Sequence, residues 1–517
     1  MINYIPPKLP FYNHFWRDII TLYSAKTTIF VYFWQDINKH YMEVLTGRHE
    51  EKLLLEKIAL SGEPELVVVY GRRRVGKTYL IRNVLAPQMD FELSGMHNAT
   101  LKQQLLNFSM AIAGKAGKLK PAPPTNWMEA FNMLTTYLTP LIKKQRKVVF
   151  FDEFPWLSTA RSGFMQAFEH FWNTWASRQK NLMVVICGSS AAWMIQKVIN
   201  NRGGLHNRVT RSIRLQPFTL CETEAFLKAR KVNLDRYQIL QLYMVMGGVP
   251  QYLKEVEKGE SATQAIDRTC FTKDGLLHNE FRNLFLSLFG EATNHINIIR
   301  ALATHGSGLN RSGIMAHCRL SSGGGTSQIL DELTESGFIT PYIPFGKTSK
   351  DALYKLTDEY SRFYLKFIDD SKISGAGSWV RFSAGQSWKS WSGYAFESIC
   401  MKHTRQLKEA LSIGGVYSET SVWQNKGGND KNGAQIDMLL DRQDNCINVC
   451  EMKFANSRFE ITKDYARQLE NKCSVFREET RTTKSLFITL VTTFGIKNTD
   501  KFPGLVQNEI PMDRLFQ

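Results

Sequence analysis

Glu65-Leu66-Val67-Val68-Val69-Tyr70, running directly into Gly71-Arg72-Arg73-Arg74-Val75-Gly76-Lys77-Thr78, is the stretch on which the fold turns. Its first six residues enclose an uninterrupted β-branched run, the pattern of a strand buried on both faces of a parallel sheet. The eight that follow match G-x-x-x-x-G-K-[ST] in full, with a strand before and helical spacing after. Each residue type answers a physical need. Gly71 and Gly76 let the backbone curl, so that successive N–H groups from Arg72, Arg73, Arg74 and Val75 face phosphate oxygens. Lys77 reaches the β- and γ-phosphates, Thr78 ligates magnesium, and the helix N-terminus adds favourable potential for an anion. ATP and Mg2+ are the implied ligands.

Outward from this loop the chain alternates strands with helices. A helical pattern covers Glu43–Leu60, and a Pro-rich linker lies at Lys120–Pro124. A second buried strand reads Lys147–Phe151 and a third Leu182–Ile186, which together predict a parallel α/β sheet. Asp152-Glu153 closes the second strand: Asp152 is placed to hold magnesium and Glu153 to orient or polarise the attacking water. The third strand ends in Gly188-Ser189-Ser190, where Ser189 is a candidate sensor of the γ-phosphate. Arg208, within His206-Asn207-Arg208-Val209-Thr210, is an arginine-finger candidate. Beyond Arg214 the chain reads as a helical lid to about Asp267.

These motifs, with Gly247-Gly248-Val249-Pro250-Gln251-Tyr252-Leu253 and the upstream Gly47-Arg48-His49-Glu50, resemble the archaeal-type ATPase family of the STAND-like branch near the AAA+ ATPases. The resemblance covers residues 42–370. It departs at Asn207-Arg208-Val209-Thr210, where relatives often carry G-R-R-T, so the role of Arg208 does not carry over directly.

Residues 309–357 read as a winged helix. Leu309–Cys318 and Thr326–Ser336 are its two helices, Gly323–Gly325 the break, and Gly337–Thr340 and Leu353–Leu356 the wing strands around a basic loop with Lys347 and Lys350. Such modules place a helix in DNA or act as rigid docking units. A loose Gly/Ser/Trp segment, Ser371–Ser390, is expected to link to the last domain.

That domain holds a second constellation, Asp437 within Ala434–Leu440 and Glu451-Met452-Lys453 after a polar turn. Side chains alternate along a strand, so Glu451 and Lys453 share a face and Asp437 lies opposite on the neighbouring strand. Two acids and a lysine at one spot suit metal-assisted phosphodiester cleavage, with Asp437 and Glu451 as metal ligands and Lys453 stabilising charge. The arrangement resembles the restriction-endonuclease-like PD-(D/E)XK superfamily. By that resemblance Glu397, on the helix at Trp391–Glu397, completes the metal site, and Gln468 on a following helix assists.

The 517-residue chain is too long for one core. Its expected parts are an N-terminal extension (1–41), an ATPase domain with helical lid (42–267), a winged-helix module (268–370) and a nuclease-like α/β domain (371–517). With 65 Lys+Arg against 48 Asp+Glu the formal net charge is +17, which favours a polyanionic partner, DNA foremost among nucleic acids. Eight scattered cysteines without a CxxC pair argue against zinc and fit a reducing cytoplasm. The apolar run Ile29–Trp34 is too short to span a membrane. Phe15–Tyr23 is a candidate docking helix, and Met42 a candidate start. Homo-oligomerisation is left open. The expectation is an ATP-hydrolysing protein acting on nucleic acid with a C-terminal nuclease. Its rivals are an ATP-controlled switch and a DNA-binding regulator, both with an inactive tail.

Overall fold

The computed structural model describes residues 45–116, 122–289, 291–369, 371, 375–427, 433–497 and 501–517. The chain divides into two units, Met1–Leu45 and Thr46–Gln517, and all elements below belong to the second. The candidate docking helix and the apolar run near the N-terminus lie outside the described residues, as do Lys120 and Pro121 of the Pro-rich linker.

Helix α1 (His49–Ala59) leads into β1 (Glu65–Tyr70), the glycine loop and α2 (Lys77–Leu85). Strand β2 (Met89–Ser94), helices α3 (Leu101–Ala116) and α4 (Trp127–Ile142), β3 (Lys147–Asp152), α5 (Phe164–Thr174), β4 (Leu182–Gly188) and β5 (Arg211–Arg214) complete the first layer set. The five strands form one parallel sheet in the order β2-β3-β4-β1-β5. β1, β3 and β4 are buried almost throughout because helices cover both faces, which is why they read as unbroken apolar runs. A cluster of Phe91, Phe108, Trp127, Phe131, Phe151 and Phe168 fills one side of the sheet. The order puts β1 between β4 and the edge strand β5, so the loop after β1 and the ends of β3 and β4 open on one edge.

The lid follows as α6 (Leu220–Ala229), closed by a Thr219/Glu222 capping box, α7 (Arg236–Met246) and α8 (Ala262–Phe271). After α7 the chain must pass Phe218 so closely that a Cβ on Gly248 would sit 1.8 Å from its carbonyl oxygen. Only glycine fits there, which accounts for Gly247-Gly248.

Helices α9 (Glu280–Leu288), α10 (Thr293–Thr304), α11 (Arg311–Cys318) and α12 (Gly324–Glu335) precede an antiparallel hairpin, β6 (Ile339–Tyr342) and β7 (Leu353–Leu356). Leu309 makes a single antiparallel bridge to Tyr354 beside the hairpin. The hairpin does not project freely. Phe345 N–H donates to the Val422 carbonyl at 2.9 Å, and the Phe345 and Phe476 rings lie 5.1 Å apart, so its tip rests on the C-terminal sheet.

Helix α13 (Glu359–Phe367) leads to the segment expected to be loose. There the structure differs: Ser378–Ser383 is helical, and α14 (Gln386–Lys402) already begins at Gln386. The tryptophans supply the reason. Trp379, Trp388 and Trp391 pack with Phe363 and Phe367 in one buried aromatic cluster. Helix α15 (Thr404–Ala410) and strands β8 (Ser418–Asn425), β9 (Ala434–Arg442) and β10 (Cys446–Lys453) come next. Helix α16 (Lys463–Thr480), β11 (Ser485–Thr492) and β12 (Asn508–Pro511) end the fold. This second sheet runs β12-β11-β10-β9-β8, antiparallel from β8 to β10 and parallel from β10 to β12. No helix among the described residues is long and apolar enough to cross a membrane.

Candidate active sites

At the first site the loop leaves β1 through Gly71, whose φ of 143° and whose approach to the Leu215 carbonyl (2.3 Å from an added Cβ) exclude a side chain. Lys77 is buried, and its ammonium donates to the Gly71 carbonyl at 3.0 Å and the Arg72 carbonyl at 2.9 Å, a position inside the loop that phosphate oxygens would take over. Arg48, from the motif before α1, donates to the Val75 carbonyl at 3.0 Å and lies over the Phe218 ring. It tethers the loop to the lid, a contact that spacing alone does not reveal.

Thr78 Oγ1 donates to Asp152, 3.1 and 3.0 Å from its two carboxylate oxygens. Burial, then the neighbouring Glu153, raises the Asp152 pKa. A hydroxyl and a half-stripped carboxylate at this spacing fit a hard dication that keeps several waters. Glu153 has a left-handed backbone (φ 46°), and its Oε2 accepts from Ser189 Oγ at 2.8 Å and Ser189 N–H at 3.2 Å. Ser189 thus grips the acid beside it, where a γ-phosphate contact was expected. Arg208 is exposed and makes no side-chain hydrogen bond or ion pair among the described residues. Arg72 and Arg74 contribute more than backbone. Buried Arg72 pairs with Asp358, the N-cap of α13, and Arg74 pairs with buried Glu280 at 2.9 Å. Arg73 is half-buried.

A parallel sheet of this order, a glycine loop between β1 and α2, and an acid pair after β3 define a P-loop ATPase. Residues 45–256 match the family described as an ATPase domain predominantly from Archaea, and this segment is similar to that family. An uncharacterized protein of Methanocaldococcus jannaschii is 22% identical over 440 residues, 83% of this chain and 92% of its own. Among solved structures, a Walker-type ATPase of Pyrococcus abyssi is 19% identical, with TM-score 0.48, over 62% of this chain and 96% of its own. The Aeropyrum pernix ORC2 protein, solved as ADPNP–ADP complexes, is 14% identical with TM-score 0.39, over 62% of this chain and 93% of its own. The sheet order, and not these distant likenesses, defines the fold.

At the second site β9 pairs with β10 so that Cys450 faces Met438. One residue further, that register sets Glu451 opposite Asp437, on one face of the sheet. Glu451 is fully buried. Its Oε1 accepts from Lys472 on α16 at 2.6 Å, while its Oε2 lies 3.7 Å from Lys453 Nζ and has no hydrogen-bond partner among the described residues. Burial, and then Asp437, lifts the Glu451 pKa to about 7 against the pull of Lys472 and Lys453. Asp437 Oδ2 accepts from Met452 N–H at 3.1 Å.

One expectation needs correction. Glu397 does not join a three-carboxylate cluster: Lys355 on β7 pairs with it at 3.0 Å, and no group of three or more His, Cys, Asp and Glu among the described residues is arranged to hold a metal. Burial raises the Glu397 pKa, opposed by Lys355 and reinforced by Asp437, so it lies close enough to feel Asp437. Gln468 is exposed. Tyr465 and Lys472 are the α16 side chains turned inward, two turns apart on the face that also buries Leu469 and Phe476. That helical spacing is the signal by which Lys472 could have been found.

Proposed function

We propose that the chain couples Mg–ATP hydrolysis to metal-dependent phosphodiester cleavage of nucleic acid, DNA foremost. Residues 42–267 act as the ATPase, 268–370 as a winged-helix connector and 371–517 as a PD-(D/E)XK-like nuclease. In the ATPase, Lys77 would exchange its loop carbonyls for the β- and γ-phosphates, Thr78 and Asp152 would hold magnesium, and Glu153 would polarise the attacking water.

One observation carries the nuclease reading: a buried carboxylate oxygen of Glu451 without a partner, opposite Asp437 and 3.7 Å from Lys453. A carboxylate oxygen without a partner beside a second acid fits a divalent cation, and magnesium is commonly held by one or two carboxylates plus waters. A bound metal would supply charge for the scissile phosphate and an activated water. Asp437 and Glu451 would hold it, and Lys453 would stabilise the phosphate. The order of two helices, three strands, a helix and a strand from α14 through β11, with β11 parallel to β10, agrees with that reading. The +17 charge and the exposed Lys347 and Lys350 at the hairpin suit a nucleic-acid partner.

The test is a cleavage assay on single- and double-stranded DNA and RNA with magnesium or manganese, with and without ATP. Cleavage should vanish in Asp437→Ala while ATP hydrolysis persists; a wild-type protein that cuts nothing, or an Asp437→Ala protein that still cuts, ends the nuclease reading. A second reading draws on Arg72–Asp358 and Arg74–Glu280, which tie the nucleotide loop to α13 and α9. They favour an ATP-controlled switch, marked by tight nucleotide binding, slow turnover and no strand cleavage.

A further inference from the structure

The two lysines beside Glu451 are held in different ways. Lys453 Nζ sits over the Tyr465 ring, 5.2 Å from its centroid, and only approaches Glu451 Oε2, at 3.7 Å. Lys472 is bonded: its ammonium donates to Glu451 Oε1 at 2.6 Å. Leu469 and Phe476, one turn before and one turn after Lys472, are both buried. They anchor that face of α16, so the ammonium can move on its four-carbon stem while the helix stays in place. A fifth of the Lys472 side chain is exposed (20%) against none of Glu451 (0%), so the lysine is the partner with a way out to solvent.

Charge counting gives the consequence. Asp437 and Glu451 carry two negative charges when ionised, and Lys453 and Lys472 return two positive ones. The neighbouring Glu397 is balanced separately by Lys355. A dication brought to the two acids would leave two positive charges uncompensated in a buried setting, which is costly. Repulsion then falls hardest on the ammonium bonded to the acid, that of Lys472. An anion arriving from the solvent side relieves it, and a phosphate accepts from an ammonium as readily as a carboxylate does.

We infer, on the footing of the cleavage reading, that Lys472 holds the place of the metal on Glu451 and, once displaced, grips a phosphate of the nucleic acid. It is a substrate-binding lysine distinct from Lys453, which makes no hydrogen bond to Glu451. Metal and strand therefore bind cooperatively, each paying for the release of the same ion pair.

Calcium, a cation of oxygen sites, is the probe for the full-length chain, at about pH 8.5, where proton competition is weak. Calorimetry on Lys472→Met should show calcium bound about tenfold more tightly than by the wild type, because one charge-assisted hydrogen bond no longer has to be broken. Fluorescence anisotropy with a labelled DNA duplex should show the opposite sign. In calcium, Lys472→Met should bind the duplex about tenfold more weakly, with a log–log salt slope shallower by about 0.9, one phosphate contact. Without calcium the two proteins should bind the duplex nearly alike. Lys472→Gln, which keeps a neutral donor for Glu451, should shift both affinities the same way and serves if Lys472→Met fails to fold. A lysine that only stabilises the fold would lower calcium affinity or leave it unchanged; either result overturns the inference, while calcium binding lost in Asp437→Ala would still uphold the metal site. No calcium binding by the wild type or by either Lys472 variant overturns both. Tighter calcium binding with a duplex affinity indifferent to Lys472→Met in calcium also overturns the inference, since the released ammonium would then hold no phosphate.

Discussion

The glycine-loop site and the C-terminal hairpin each set a lysine beside two acids, yet the two are held in opposite ways. At the first, neutral donors position the acids: Thr78 on Asp152, and the Ser189 hydroxyl and N–H on Glu153. Its lysine rests on backbone carbonyls and is free to leave them. At the second, Glu451 is fully buried and already claimed by Lys472, with a pKa near 7 that keeps a proton within reach. The first site holds its two acids with uncharged donors. The second must release a proton before its carboxylates gain full charge for a cation. Similar residue lists therefore imply different entry conditions, and the predictions below separate them.

The largest effect belongs to Glu153. Glu153→Gln should lower the rate of ATP hydrolysis by about 10²–10⁴-fold while leaving ATP affinity within a few-fold. Phosphate release and calorimetry read the two quantities. Glu451→Gln should leave both unchanged. If hydrolysis falls with Glu451 instead, the two sites are not chemically separate.

Next comes Lys77. Lys77→Ala removes charge-assisted contacts of about 1.5–3 kcal/mol, a loss of about 10- to 150-fold in ATP affinity. Lys453→Ala should have no such effect on ATP. Equal losses from both would mean that nucleotide reaches both lysines.

The third prediction concerns pH at the C-terminal pair. The folded pKa of Glu451 is raised, so the folded protein holds that proton above the ordinary carboxyl range and releases it near pH 7. Without metal, this group favours the fold at low pH and loses that contribution as pH climbs through about 7. Metal binding requires the ionised form. Manganese affinity should therefore rise about tenfold per pH unit up to about 7 and level off beyond it. Calorimetry at several pH values measures this, and Glu451→Gln should flatten the profile. A flat wild-type profile would show that Glu451 is not a metal ligand.

How far the chain could be read without coordinates follows from how local each signal is. β1, β3 and β4 are buried on both faces, so their apolar runs announce them, and the glycine loop and acid pair sit at their ends. β5, Arg211–Arg214, has one apolar residue in four and exists because β1 offers it an edge. β2 carried a usable signal, since Met89, Phe91 and Leu93 alternate with polar residues as an edge strand should. At the second site the shared face of Glu451 and Lys453 was legible from period two. The partners Lys472 and Lys355 come from α16 and β7, and the arginine contacts Arg72–Asp358 and Arg74–Glu280 reach across more than 200 residues. No spacing rule brings such distant residues together. Only the packing of the modules does.

The smallest effect is expected at Ser189, and it decides what the end of β4 does. If Ser189 reads the γ-phosphate, Ser189→Ala should weaken ATP binding and leave ADP binding alone. The structure instead shows both its hydroxyl and its N–H on one oxygen of Glu153. Alanine keeps the N–H and deletes the hydroxyl. One hydrogen bond to a charged acceptor is lost, the other stays, and water can partly replace the first. The net loss should be about 1.4 kcal/mol, felt in the orientation of the base: hydrolysis about tenfold slower, with ATP and ADP affinities both unchanged. Ser189→Thr, which restores a hydroxyl, should recover most of the rate. In a Glu153→Gln background the further change to Ala at 189 should cost much less than it does alone, because the charged acceptor it served is gone. If the two losses instead multiply in full, Ser189 acts on the nucleotide and not through Glu153.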